Sequence, residues 1–463
     1  MFDKEVYISR RNALRSKIKS GLVLILGNSE APMNYPSNTY HFRQDSNFLY
    51  FFGLPHADFV GVLDVEADTD CLYGNDYSLD DIIWMGPQPT LKELAEQVGV
   101  QSTYSLRDLY ITIQGAILKG RKIHFLPPYR GENVLLLESL LGIKSDRIKS
   151  YVSAELIRAV VSLREIKSPE EIEQIDHACD IGYEMHTTAM KMCRPGLMER
   201  DIAGAIEGVA LSKGSGVSFH SIVSQNGETL HNHFHGNKLE AGRMLLMDAG
   251  AENAMNYCSD FTRTIPVSGR YTSLQKDVYN VLLSVFEKAM ELIKPNVTYK
   301  SVHLDCAKVL SEGLISLGLM KGNAEDAVQN GAHALFMPHG LGHQLGLDVH
   351  DMEGLGEDFV GYDEEVERST QFGLASLRMG RRLKKGHVIT VEPGIYFIPA
   401  LVEKWKKEKI NVNFIDYDKV KEMYGFGGMR VEDDVVVTDT GKRILGKRRI
   451  PYTVEQIENI MAK

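Results

Sequence analysis

Residues 243–264 read Arg-Met-Leu-Leu-Met-Asp248-Ala-Gly-Ala-Glu-Asn-Ala-Met-Asn-Tyr-Cys-Ser-Asp260-Phe-Thr-Arg-Thr264. Two runs of strand length, 243–248 and 256–264, flank a turn signal, so the stretch is expected to be a hairpin turning around Ala251 to Ala254. Each arm places an aspartate in apolar surroundings, where an unpaired carboxylate is costly to bury. The hairpin would set Asp248 and Asp260 side by side, and adjacent carboxylates repel unless a cation or a shared proton compensates. Two strand-end aspartates in separate salt bridges would be the bland alternative.

Working outward, two further β-branched runs carry acids: His387-Val-Ile-Thr-Val-Glu392-Pro-Gly and Met429-Arg430-Val-Glu432-Asp-Asp434-Val-Val-Val437. Along a strand over 429–438, Arg430, Glu432 and Asp434 share one face, so Arg430 is expected to brace Glu432. Eight of the fifteen histidines fall in two short windows, His220 to His235 and His333 to His350, and His339-Gly-Leu-Gly-His343 supplies an imidazole from a glycine-rich turn. Four carboxylates and one imidazole at strand ends and a glycine-rich turn suit two hard or borderline divalent ions sharing carboxylates. Mn²⁺ is the first expectation, with Co²⁺ and Zn²⁺ tolerated by the same donors; the set is too oxygen-rich for a structural cysteine-type zinc site. Two such ions a few ångströms apart can hold a hydroxide at neutral pH and polarise a carbonyl, which is the chemistry of peptide hydrolysis.

Helices are expected at about 199–213, 273–294, 299–318 and 325–331, interleaved with these strands, so the C-terminal part reads as helices packed on an antiparallel sheet. Upstream, Ser168-Pro169-Glu170-Glu171 is a capping box with proline at the first helical position, opening a helix that runs to Met192. A domain boundary is placed near 165. Before it, a helix at 10–20 and strands at 22–26, 59–65 and 122–126, separated by helical stretches, indicate an α/β domain. The charged run Glu403 to Lys409 reads as a solvated helix face or loop.

The chain has 463 residues, 43% of them hydrophobic and 25% charged, with 41 glycines and 15 prolines, and so is globular rather than disordered or fibrous. Its 52 Lys and Arg against 62 Asp and Glu give a formal charge of −10, without a concentrated basic block, which argues against nucleic acid as a partner. No apolar run reaches membrane-span length, and the amino terminus lacks a secretory pattern, so no membrane partner and a cytoplasmic location are expected. Five dispersed cysteines, Cys71, Cys179, Cys193, Cys258 and Cys306, are expected as reduced thiols.

Taken in order, these motifs, with Met337-Pro-His339-Gly-Leu-Gly-His343-Gln-Leu-Gly-Leu-Asp-Val-His350-Asp between them, resemble the "pita-bread" metallopeptidases, specifically the proline-directed branch of prolidases and aminopeptidases P. Phe42-Arg-Gln-Asp-Ser-Asn-Phe-Leu-Tyr-Phe-Phe-Gly53 and Trp84-Met-Gly86 are similar to the creatinase-type domain that precedes the catalytic domain there. The resemblance implies an α/β creatinase-like domain at 1–165 and an α+β pita-bread catalytic domain at 166–463, with helices on a curved antiparallel sheet. It implies Asp248, Asp260, His343, Glu392 and Glu432 as ligands of two metal ions, Asp260 and Glu432 bridging them. It makes His231 and His350 the histidines that contact substrate, with His233 or His235 open as the residue facing the site in place of His231. Glu392 doubles as proton acceptor, His339, Arg430 and Tyr396 fall at pocket positions, and Arg378 matches an arginine that grips the carboxylate of a dipeptide in prolidases.

A peptidase acting before proline is thus implied, on Xaa-Pro dipeptides or, as an aminopeptidase P, on longer Xaa-Pro peptides. A homodimer is implied too, with Trp84 near the partner's pocket. A non-catalytic binding module of the same fold and a metal-independent creatinase are rivals disfavoured by the complete ligand set. The spacing of Asp248 and Asp260, one residue wider than in that branch, is expected to be taken up as an extra loop residue or a bulge.

Overall fold

A computed structural model describes residues 1–462. The chain forms two compact units, Met1–Arg164 with Gly354–Phe359, and Glu165–Glu353 with Val360–Lys463. The first is built on five strands, β1 (Leu22–Leu26), β2 (Val60–Asp64), β3 (Thr69–Tyr73), β4 (Ser102–Tyr104) and β5 (Ile123–Phe125), in the order β4-β3-β2-β1-β5. The sheet is mixed: β1–β2 and β2–β3 are antiparallel, β1–β5 and β3–β4 parallel. Alternation along β1 sends Leu22 and Leu24 into a core with Leu109, Ile113 and Leu137 from the helices Leu106–Leu118 and Gly131–Leu141, while Val23 and Ile25 are buried on the other face. The helix read at 10–20 lies at Lys4–Lys17. All five cysteines are free thiols, four of them buried. Among the described residues no helix is long and apolar enough to cross a membrane.

The second unit opens with helix α1 (Pro169–Met192), where Ser168 and Glu171 close the capping box and Pro169 occupies the first turn. It packs with α2 (Glu199–Lys213), and α3 (Ser273–Leu292) pairs with α4 (Tyr299–Ser316). The strands beneath them are β6 (Ile222–Ser224), β7 (Met244–Ala249), β8 (Phe261–Pro266), β9 (Val388–Val391), β10 (Gly394–Tyr396), β11 (Gly428–Arg430), β12 (Asp433–Val437) and β13 (Lys442–Ile444). They pair antiparallel as β8-β7-β6, β9-β12-β13 and β10-β11, and a bridge between Thr262 and Glu432 links the first group to the others. Helix α1 lies on β7 and β8, and α3 on β9, β10 and β11, which is the pita-bread arrangement of helices over antiparallel strands.

The single strand read at 429–438 is instead two, broken at Val431 and Glu432. The Val431 N–H turns to Pro393 O at 3.3 Å and the Glu432 N–H to Thr262 O at 3.0 Å, so the chain changes pairing partner between β11 and β12. Strand β8 starts at Phe261, five residues later than the sequence pattern suggested, because Asn253 takes the preceding segment into a turn: its side chain accepts from Met255 N at 2.9 Å and Tyr257 N at 3.0 Å. The pairing stays in register from Met244–Pro266 to the Glu252–Cys258 bridge. The hairpin tip therefore absorbs the wide Asp248–Asp260 spacing, and there is no bulge. The charged segment at 403–409 lies in and just beyond the helix Pro399–Glu408, exposed except for half-buried Lys406 and for Trp405, which is buried and packs on Phe372.

Candidate metal centre

The hairpin does not set the two aspartates opposite each other. Asp248 pairs with Thr262, and Asp260 lies two residues beyond Thr262 towards the tip, so the carboxylates are diagonal neighbours on one face. Asp260 is held from behind by its own N–H, which donates to Asp434 Oδ2 at 2.9 Å. Arg430 also departs from expectation. Its Nη2 pairs with Asp248 Oδ2, its Nη1 donates to Tyr396 Oη at 2.7 Å, and its Nε donates to Thr262 Oγ1 at 3.0 Å. The strand break at 431–432 removes the period-two alignment, so Arg430 braces Asp248 and reaches Glu432 only through Thr262, whose hydroxyl donates to Glu432 Oε2 at 2.7 Å.

His343 enters from the glycine-rich turn. Gly342 lies against β9 so closely that a Cβ there would meet Thr390 O at 2.1 Å, which explains the glycine beside the histidine. The His343 N–H bonds to Thr390 Oγ1 at 3.1 Å, and its Nδ1 pairs with Gln344 O at 3.0 Å. That bond assigns the proton to Nδ1 and leaves Nε2 as a lone-pair donor, 3.4 Å from Asp260 Oδ2 and 3.7 Å from Glu392 Oε1. Asp260, His343 and Glu432 each offer one ligand atom within 4.8 Å of the others.

A divalent cation fits this donor set. Asp248 Oδ1, Asp260 Oδ1 and Glu432 Oε1 are buried and accept no hydrogen bond, although buried carboxylate oxygens are normally satisfied. Burial, then neighbouring carboxylates, push the carboxyls of Asp260 and Glu432 well above their ordinary range; burial raises Glu392 in the same direction, with His343 and Arg430 opposing it. Cations shared among these oxygens would remove both costs. The sign of the linkage follows: carboxyls that hold protons more tightly folded than unfolded contribute stability below about pH 4, and lose it as pH rises through their raised values. The stabilisation that Mn²⁺ confers is therefore expected to grow as pH rises through the raised carboxyl values, as read by the difference between thermal unfolding with and without the ion at each pH.

The cluster forms one wall of a cavity of about 440 Å³ that is also lined by His220, His231, His233, His339, His350, Arg378 and Arg430. His231 and His233 line it, while His235 is turned to Ser221 O at 3.0 Å. Burial, then the charge of Arg430, lower the His231 imidazole below its usual value. The His350 ring stands edge-on to that of His343, centroids 4.3 Å apart. Tyr396 does not line the cavity. It is fully buried, and its hydroxyl lies between Arg430 and His339 Nε2 at 2.9 Å, so it supports the wall from behind.

Three supporting groups had little signature in the sequence. Thr262 and Asp434 lie inside recognised motifs, but only register reveals their contacts. Glu353, one of several acids in an aperiodic stretch, joins His350 and Arg378. The third is an ion pair: Lys167 Nζ reaches Asp351 Oδ2 at 2.7 Å with both side chains about 1% exposed, fixing the residue next to His350. Removing one member of a buried ion pair is strongly destabilising, so Lys167→Met is expected to cost about 3 kcal/mol or more in urea unfolding.

Comparison with known proteins agrees with this geometry. Residues 173–439 match the model of metallopeptidase family M24, and residues 7–124 that of the aminopeptidase P N-terminal domain. The human Xaa-Pro dipeptidase is 32% identical over 462 residues, covering 96% of this chain and 90% of that protein. A probable Xaa-Pro aminopeptidase of Aspergillus niger is 29% identical over 466 residues, covering 97% and 96%. Among solved structures, zinc-substituted Escherichia coli aminopeptidase P in complex with product superposes with a TM-score of 0.80 at 27% identity, covering 100% of this chain and 98% of that one. With residues 173–439, more than half of its length, matched in this way, the chain belongs to metallopeptidase family M24.

Proposed function

We propose that this metallopeptidase hydrolyses the peptide bond before proline, with Xaa-Pro dipeptides as its preferred substrates. Its relatives named Xaa-Pro dipeptidase and Xaa-Pro aminopeptidase support the proline direction. The observation that carries the dipeptide preference is Arg378, which lines the same cavity as the carboxylate cluster. A guanidinium there rewards a free carboxylate directly after proline, which a longer peptide does not offer at that point.

Asp248, Asp260, His343, Glu392 and Glu432 would hold two divalent ions, Mn²⁺ by preference given four carboxylates and one imidazole, with Co²⁺ or Zn²⁺ accepted by the same donors. When bound, the ions supply an acidified water and a polarised carbonyl. Glu392, with its carboxyl raised by burial, takes up the proton released at attack. His231 donates a hydrogen bond to the developing oxyanion. His350 delivers a proton to the departing proline nitrogen; burial and then His343 lower its imidazole below the usual value, and the Glu353 carboxylate at its Nδ1, 2.5 Å away, opposes them in favour of the imidazolium that this requires. His339 and Arg430 keep the cavity wall in place: the His339 Nδ1 bonds to Gly340 O at 2.7 Å, and burial drives its imidazole down to about 3, so it stays neutral.

An aminopeptidase P activity on longer peptides is favoured by a second observation, the ion pair that already engages Arg378 with Glu353. The cytoplasm suits five thiols that form no disulfide. A homodimer is supported by the exposed apolar residues of helix Leu79–Met85, where Trp84 is 86% exposed beside Leu79 and Ile83.

The test is hydrolysis by Mn²⁺-loaded protein of a Xaa-Pro dipeptide, the same peptide extended by one residue, and a dipeptide with alanine in place of proline. Faster cleavage of the Xaa-Pro dipeptide is expected. Preference for the extended peptide assigns the chain to the aminopeptidase P activity, and equal cleavage of the alanine control contradicts the proline direction.

A further inference from the structure

The cavity wall contains an ionised acid that the chemistry above uses only as a neighbour. Glu353 bridges two lining residues: Oε2 lies 2.5 Å from His350 Nδ1, and Oε1 pairs with Arg378 Nη1. The three side chains are each about one-third exposed, so the group sits at the wet edge of the site. We propose that Glu353 is the positioning residue that sets substrate length, by holding a carboxylate on the guanidinium that must receive the free carboxylate of a dipeptide. The proposal rests on the assignment of Arg378 as carboxylate acceptor.

Arg378 contributes one positive charge to this end of the cavity and Glu353 one negative. Burial alone would raise the Glu353 carboxyl, but the hydrogen bond from His350 and the charges of His350 and Arg378 bring it down to about 2, so it is ionised at any working pH. A dipeptide must then either displace Glu353 from the guanidinium or settle as a second anion beside it, with the repulsion two close carboxylates entail. A peptide extended past proline presents an amide instead and meets neither cost. Because Glu353 is tied to His350 as well, it does not swing aside freely. The chain is thereby a dipeptidase whose discrimination against longer peptides is deliberately weak.

Glu353→Gln separates charge from shape, because the amide oxygen still accepts from His350 Nδ1–H while the negative charge is gone. The experiment measures kcat and KM of the full-length, Mn²⁺-loaded protein for a Xaa-Pro dipeptide, its carboxyl-terminal amide and the one-residue-extended peptide. The wild type, E353Q, Glu353→Asp and R378M are compared. E353Q is expected to lower KM for the free dipeptide about fivefold to tenfold, and to leave KM for the amide and the extended peptide within about twofold. Glu353→Asp, which keeps the charge, should retain wild-type ratios. If R378M selectively raises KM for the free dipeptide but E353Q changes KM for all three substrates alike, or for none, Glu353 does not set length and the proposal is overturned while Arg378 stands. If R378M shows no selectivity for the free carboxylate, the assignment of Arg378 fails and this proposal falls with it. Should E353Q fold poorly, Glu353→Ala gives the same charge removal, and the ratio of free dipeptide to amide within that variant is the readout.

Discussion

Replacing Asp260 by Asn is expected to reduce kcat/KM by at least about 10³-fold, because the bound ions supply several kcal/mol of charge stabilisation and each 1.36 kcal/mol is a factor of ten. The same substitution should raise the melting temperature of the metal-depleted protein. Asp260 Oδ1 is buried without a hydrogen bond, and its carboxylate is opposed by burial, Asp248, Asp434 and Glu392, so a neutral amide relieves repulsion that only a cation otherwise relieves. The paired outcome separates a ligand from an ordinary buried acid. Loss of a merely structural aspartate lowers stability with and without metal, whereas loss of a ligand stabilises the metal-free form and forfeits the gain on adding Mn²⁺. Thermal melts of both proteins with and without Mn²⁺, alongside peptide hydrolysis, decide between them.

Arg378→Met carries the second large effect. A charged hydrogen-bonded pair with a substrate carboxylate is worth about 1.5–3 kcal/mol, so kcat/KM for a Xaa-Pro dipeptide should fall about 10- to 150-fold. Removal of the guanidinium also leaves Glu353 facing the incoming carboxylate without its counterion, which pushes the loss towards the upper end. Cleavage of the peptide extended by one residue should change by no more than about threefold, the effect expected of a rim charge that its amide does not use. An equal loss on both peptides would return Arg378 to a structural role in the Glu353 and His350 network.

The contrast between these residues and the others shows what could be read from the chain. Asp248, Asp260, His343, Glu392 and Glu432 were legible because each is an acid or imidazole in a β-branched or glycine-rich context, where burial without a cation is costly, and the structure brings them to one cavity. The helix opening at Pro169 was legible because capping is local chemistry. Register and pairing partner were not. The strand break at Val431 and Glu432 follows from hydrogen bonds to Pro393 and Thr262, remote in sequence, and it redirects Arg430 from Glu432 to Asp248. Tyr396 shared the texture of a pocket residue, yet its pairing with Gly428 across β10 and β11 leaves it wholly buried behind the wall. Glu353 had no periodic pattern around it to mark it, and only the fold brings His350 and Arg378 to its two oxygens.

We propose that Asp248, Asp260, His343, Glu392 and Glu432 together hold two divalent ions on which hydrolysis depends. This is tested most directly by titrating metal-depleted protein with Mn²⁺, recording bound metal and Xaa-Pro hydrolysis on the same samples, for the wild type and for Glu432→Gln. Two ions per wild-type chain, activity that returns as they bind, and impaired binding and activity in Glu432→Gln are expected. Full activity in the metal-depleted protein, or Mn²⁺ binding by Glu432→Gln indistinguishable from wild type, would contradict this.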